Sequence, residues 1–188
     1  VIAFVQFFGV VADMGLYMIS IKRISPSGTD VDHIFGNIFT LRLVSALFFV
    51  GLAPLVVLIF PYPAIVKTGV LVVTGMNLFV ALNQLLVGLY QKELTMFRAS
   101  AGEVLGKLLT LGIVALAVVW HQSLYFILFA FVIGSLFILL LSLLFARKFV
   151  RLRLRFDWPV WLDVLKESWP IAVTIALNII YFRADTIM

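Results

Sequence analysis

The sequence predicts an all-α polytopic membrane protein. Three observations lead there. Of its 188 residues, 64% are hydrophobic and 12% are charged, whereas a soluble domain is roughly half apolar and about a quarter charged. The mean hydropathy is +1.19. The apolar residues gather in six long runs without the alternation of barrel strands.

A transmembrane helix takes about 20 mostly apolar residues. Residues 1–21, 37–60, 68–90, 101–120, 124–146 and 169–188 meet or approach that length. Val1 already lies in an apolar run and Met188 ends another, so the chain reads as a fragment cut within a helix at both ends. The first run lacks the basic start and small-residue cleavage site of a signal peptide.

The connectors alternate in charge. Lys22 and Arg23 open the first. The second turns on Pro61 and Pro63 and holds only Lys67. The third carries Lys92 and Arg98, and the fourth, His121-Gln122-Ser123, has no cation. The fifth holds Arg147, Lys148, Arg151, Arg153 and Arg155, with Lys166 beyond. Basic residues in short loops resist translocation, so the first, third and fifth connectors are expected on the cytoplasmic side. Tyr62, Trp120 and Tyr125 then fall at the outer interface, where aromatic belts form. The net charge of +5 comes largely from the fifth connector and points to lipid headgroups or an anionic substrate. Nucleic acid is not an expected partner, because no soluble basic domain is present to carry such a site. With no Cys, disulfides and thiolate metal sites are excluded.

Within the fifth connector, Trp158, Trp161, Leu162, Leu165 and Trp169 recur at helical spacing, while Asp163, Lys166 and Glu167 take other faces. Asp157 can cap this helix, with Pro159 in its first turn. The pattern predicts a short amphipathic helix on the membrane surface, the tryptophans favouring the interface over packing on protein.

Ionisable groups within a span are costly and draw functional attention. Asp13 precedes Lys22 by nine residues, or roughly 13 Å at about 1.5 Å per residue. Gln6, Gly9, Asp13, Tyr17 and Ser20 fall near one helical face. Arg42 enters the second span to a similar depth, so Asp13 and Arg42 are expected to face a common interior and pair. A structural ion pair and a transport role both stand open. In the third span, Thr74, Asn77, Ala81, Gln84, Gly88 and Gln91 form a polar or small stripe. Such a stripe faces protein or a water-filled cavity. Helix packing suits Thr74 and Gly88, whereas the stacked amides Asn77 and Gln84 suit a cavity. In the fourth span, Gly102 and Gly106 form a GxxxG packing motif. Glu103 and Lys107 form an i,i+4 pair that neutralises itself near the inner interface; a substrate-phosphate contact by Lys107 is the alternative. The fifth span offers only Gly134, Ser135 and Ser142. In the sixth, Thr174, Asn178, Tyr181 and Asp185 share a face, and Arg183 lies off it. Asp185 suits ion coupling or a structural contact with Arg183.

Catalytic sets are missing from the sequence. His33 and His121 lie on opposite sides of the membrane, and no HExxH, CxxC or Gly-rich phosphate loop occurs. Asp30 and Asp32 could hold Mg²⁺ in a prenyl-phosphate enzyme, but a solvated loop explains them better. No cofactor and no enzymatic activity is expected.

Two stretches carry a family resemblance. Val11-Ala12-Asp13-Met14-Gly15-Leu16-Tyr17, with Ile21-Lys22-Arg23-Ile24 and Phe35-Gly36-Asn37-Ile38-Phe39-Thr40-Leu41-Arg42-Leu43, resembles the second and third helices of polysaccharide (O-antigen type) flippases. Phe156-Asp157-Trp158, Leu165-Lys166-Glu167-Ser168-Trp169-Pro170-Ile171-Ala172 and Tyr181-Phe182-Arg183-Ala184-Asp185-Thr186-Ile187-Met188 resemble their lobe connector and seventh helix. Residues 61–146 match in pattern only, and Lys22 with Ser25-Pro26-Ser27-Gly28 departs from the acidic loop expected there.

The resemblance places the chain in the multidrug/oligosaccharidyl-lipid/polysaccharide exporter superfamily and implies a two-lobe transporter of roughly twelve helices working by alternating access. Residues 1–146 would be five helices of the N-terminal lobe, 147–168 a cytoplasmic connector with an interfacial helix, and 169–188 the start of the C-terminal lobe. The implied cargo is an undecaprenyl-pyrophosphate-linked oligosaccharide, flipped across the cytoplasmic membrane of a bacterium or archaeon. Arg42 and Lys107 would meet the pyrophosphate, Asn77 and Gln84 the sugars, and Asp13, Arg183 and Asp185 would couple ions or form structural pairs. Membrane lipids and a polysaccharide polymerase are the implied partners. A multidrug or cation exporter and a membrane-embedded prenyl or glycosyl transferase are the other classes. The first would need acidic residues to dominate its cavity. The second would need a large polar loop with paired acids.

Overall fold

A computed structural model describes the backbone of residues 2–13, 15–26 and 28–187, and the side chains of 5, 8–9, 11–13, 15–26, 28–123, 125–175 and 177. All regular structure among the described residues is helical: α1 (Ile2–Asp13), α2 (Leu16–Ile24), α3 (Val31–Ile59), α4 (Ala64–Lys92), α5 (Met96–Val119), α6 (Leu124–Ala146) and α7 (Trp158–Ile187). The chain is an all-α, multi-pass membrane protein. Among the described residues, α3, α4, α5 and α6 are each long and apolar enough to span a bilayer.

The first expected span is two helices. Between them Gly15 adopts φ 75°, a left-handed conformation that glycine takes without the Cβ penalty of other residues. A Cβ there would also fall 2.6 Å from Ile171 of α7. The break therefore lets α7 approach the backbone closely. The second span starts earlier than expected because Asp30 caps α3, its Oδ1 accepting the His33 N–H at 3.0 Å.

The connector also differs from expectation. The surface helix and the last span are one helix, α7, which runs through Pro170 and through the boundary expected at residue 168/169. A proline removes one backbone hydrogen bond, a loss that membrane helices tolerate when neighbouring groups compensate. Trp161, Val164 and Ser168 of α7 are buried, whereas Trp158, Leu162 and Trp169 are exposed. One face thus packs on protein, and only the other is open to an interface. Trp161 and Val164 join the main apolar cluster of the bundle, and the Phe156 ring meets Trp161 edge-on at 4.6 Å.

α4 is the central element and touches α1, α2, α3, α5 and α6. Two apolar clusters lie along it. One joins Leu16, Phe35, Ile38, Leu85, Leu89 and Leu139 with Trp161 and Val164. The other joins Val5, Ala12, Val50, Ala53, Val57, Val70 and Val73. On α5 and α6, Gly106 and Gly134 bring the backbones together: a Cβ on Gly106 would overlap Ile138, and one on Gly134 would overlap Thr110. Of the GxxxG pair, Gly106 makes this close approach, whereas a Cβ on Gly102 would be in ordinary contact, 3.9 Å from Leu141.

The three basic connectors meet at one end of the bundle. Lys22 and Arg23 both bond Glu167 of α7. The Arg98 guanidinium lies 5.1 Å from the centre of the Phe149 ring, a cation–π contact to the fifth connector. That gathering agrees with the charge-based topology.

Candidate functional site

A buried arginine joins three helices. Arg42 lies on α3 between the stretches that feed the two apolar clusters, and its side chain is only 1% exposed. Its Nη1 is 2.6 Å from Asp13 Oδ1 at the end of α1. Its Nη2 donates to Gln84 Oε1 at 2.9 Å, and its Nε to the Ala81 carbonyl at 3.3 Å, both on α4. The helix break after Asp13 is what positions the carboxylate, since α1 ends there. A guanidinium so placed needs its fork occupied, because a buried charge without partners is strongly penalised. The pairing expected from matched depth is present. All three guanidinium nitrogens are engaged in this state.

Most of the α4 stripe serves packing against α1, α2 and α3. Gly88 receives Tyr17 and Ile21 of α2. Gln91 Oε1 accepts the Tyr17 hydroxyl at 3.0 Å. Thr74 donates to the Val70 carbonyl. Asn77 donates to the Val73 carbonyl at 2.9 Å, and its Oδ1 faces Gly9 of α1. Asn77 therefore stands apart from Gln84, in the α1–α4 seam.

A groove of about 530 Å³ opens on the other side of α4, between it, α5 and α6. Its walls are apolar, with Met76, Val80, Leu111, Phe131 and Ile138 among them. Six polar side chains line it, Asn83, Gln84, Glu103 and Lys107 together with the hydroxyls of Thr110 and Ser135. Glu103 and Lys107 pair at 2.6 Å yet remain 56% and 71% exposed. Gln84 belongs to both places, bonding Arg42 on one side and lining the groove on the other.

The sequence reading missed Asn83 and treated Glu103 only as a counter-ion. Asn83 falls one residue off the stripe, and about 100° of helical rotation (3.6 residues per turn) turns it toward α5 and α6. Its buried Oδ1 has no partner among the described residues. An amide within an apolar run was the available signal. The side chains of Arg183, Asp185, Asn178 and Tyr181 lie outside the described residues. Asp30 and Asp32 have structural uses: the first caps α3, and the second accepts the Arg151 backbone N–H at 2.9 Å. Among the described residues, no group of three or more His, Asp or Glu could hold a metal ion.

The family model described as "Polysaccharide biosynthesis protein" matches residues 1–188. No curated protein and no solved structure matches the chain.

Proposed function

Given that the chain belongs to the polysaccharide biosynthesis protein family, we propose that it works as a transporter and not as an enzyme. The cargo is an undecaprenyl-pyrophosphate-linked oligosaccharide, flipped from the inner to the outer leaflet of a bacterial or archaeal cytoplasmic membrane. The observation that carries this reading is the double role of Gln84. One amide connects a buried ion pair to a groove with apolar walls and a few polar groups. Such a groove suits an amphipathic cargo. Lys107 offers a cation to the pyrophosphate, Gln84 offers an amide to the sugars, and the walls suit the isoprenoid tail.

Arg42 meets the pyrophosphate only in a state where Asp13 lets it go. Exchange of Arg42 between Asp13 and the cargo would give the pair a part in ion coupling. Asn77 serves the sugars if the α1–α4 seam opens during alternating access. Arg183 and Asp185 join the coupling from the seventh helix. A polysaccharide polymerase is the partner that would take the flipped unit.

The test is uptake of a fluorescent undecaprenyl-pyrophosphate oligosaccharide by proteoliposomes carrying the full-length protein. Gln84→Ala removes one charge-assisted hydrogen bond, so the flipping rate should fall roughly tenfold. A wild-type protein that moves a cationic drug but not this lipid would overturn the reading.

A further inference from the structure

The geometry points to a phospholipid site at the start of the fifth connector: the cleft between Arg147 and Arg151 binds the phosphate of an anionic phospholipid in the inner leaflet. This assignment is independent of the cargo. The cleft has a volume of about 330 Å³ and is lined by Leu143, Arg147, Val150, Arg151 and Leu152. Two arginines thus line it together with three aliphatic residues. That combination fits a phosphodiester with the first carbons of its acyl chains, and arginine is the residue suited to forked phosphate contacts.

The backbone beneath both arginines is fixed. The Arg147 N–H closes the last turn of α6 on the Leu143 carbonyl at 3.2 Å, and Val150 N–H reaches the Ala146 carbonyl at 3.1 Å. Arg151 N–H is held by Asp32 Oδ1 of α3 at 2.9 Å. Farther along, Arg155 N–H donates to Thr40 Oγ1 and Asp157 N–H to Asn37 Oδ1. Between Arg151 and Arg155 the Arg153 carbonyl passes so close to Gly36 that a Cβ there would lie 2.5 Å away. The connector is therefore a strap pinned through its backbone to one face of α3.

Pinning by backbone leaves the charged ends free. Arg147, Lys148, Arg151 and Arg153 are all exposed. None of them pairs with a carboxylate among the described residues. Two unpaired arginines on a fixed backbone, beside an apolar wall at the basic end of a membrane protein, are complementary to the anionic leaflet. Arg153 and Lys148 share the charge but do not line the cleft, so they separate a site from a diffuse field.

The test uses full-length protein in mild detergent, titrated with phosphatidylglycerol, with phosphatidylcholine as the neutral control, and read by native mass spectrometry. Wild type should retain phosphatidylglycerol and not phosphatidylcholine. Arg147→Gln/Arg151→Gln should bind phosphatidylglycerol on the order of tenfold more weakly. Lys148→Gln/Arg153→Gln should bind it as wild type does, and Arg147→Lys/Arg151→Lys should keep an intermediate affinity. Equal loss in the two Gln pairs, or loss in neither, overturns the site. Undecaprenyl pyrophosphate added as competitor separates the sources. If the cleft pair loses only that lipid and keeps phosphatidylglycerol, the phospholipid assignment falls.

Discussion

Arg42 Nη1 and Asp13 Oδ1 lie 2.6 Å apart, and the arginine is 1% exposed while the aspartate is 23% exposed. The asymmetry decides what each substitution does. Asp13→Ala strands a buried cation, which costs on the order of 3–5 kcal/mol when one partner of a buried pair is removed. Asp13→Leu/Arg42→Met removes both charges and should recover most of that loss. Thermal unfolding of the purified protein measures both. If the double variant is stable and still does not flip, the pair serves transport. If stability and flipping return together, its role is packing.

Arg42→Lys and Arg42→Gln divide the same question by chemistry. Lysine keeps the charge for Asp13 but loses the fork that reaches Gln84 and the Ala81 carbonyl. Flipping by the Lys variant should be partial, and by the Gln variant absent, in the proteoliposome assay. Equal activity of the two variants would exclude a phosphate contact by Arg42.

The Asp13–Arg42 pair was legible because depth can be counted from the basic connectors, and two charges at one depth in adjacent spans must meet or face water. The spans α3 to α6 were legible from length and hydropathy. Three features were not. The break at Gly15 rests on a single glycine in an apolar run, and its φ is visible only in three dimensions. The continuity of α7 through Pro170 is decided by what surrounds the proline, not by the proline. The strap on α3 uses the backbone N–H groups of Arg151, Arg155 and Asp157. Every residue but proline carries such a donor, so no side-chain pattern announces it. The far wall of the groove beside Gln84 escaped for a related reason: it belongs to α5 and α6, whose placement on α4 the stripe does not encode.

Gly106 and Ile138 test the α5–α6 contact. A Cβ on Gly106 overlaps the Ile138 side chain, so Gly106→Ala should destabilise the protein by roughly 1–3 kcal/mol through overpacking. Gly106→Ala/Ile138→Ala makes room for the new methyl and should recover part of the loss in a thermal melt. A single variant that melts as wild type would mean that the two helices pack less closely than described.

Glu167 predicts a pH dependence at the basic end of the bundle. Hydrogen bonds from Lys22 and then Arg23 hold its carboxyl below the ordinary value of 4.5, against a smaller opposing effect of burial. A depressed folded-state pKa means that the stabilisation is fully present above the unfolded value and is lost as pH falls through the folded one. The stability difference between wild type and Glu167→Gln should therefore be constant near neutral pH and shrink as pH falls below the ordinary value of 4.5. Its size should be at most about 1 kcal/mol, since Lys22 is largely exposed. Parallel melts of the two proteins across pH 3 to roughly 7 check both sign and window.

Lys107 and Glu103 should behave in the opposite way to Arg42. Their side chains are 71% and 56% exposed, and an exposed i,i+4 pair contributes about 0.3–0.5 kcal/mol. Lys107→Gln should thus leave the melting temperature and membrane abundance nearly unchanged. Yet among the described residues Lys107 is the one lysine or arginine lining the groove that also holds Gln84. If the groove takes the pyrophosphate, flipping should fall roughly tenfold or more with the lost charge-assisted contact. Glu103→Gln frees Lys107 from its acidic neighbour and should keep or raise cargo affinity. Because the two changes act in opposite directions on one pair, a general disturbance of α5 cannot imitate them. Equal losses from both would show that the pair, and not the lysine's charge toward a cargo, is what the groove requires.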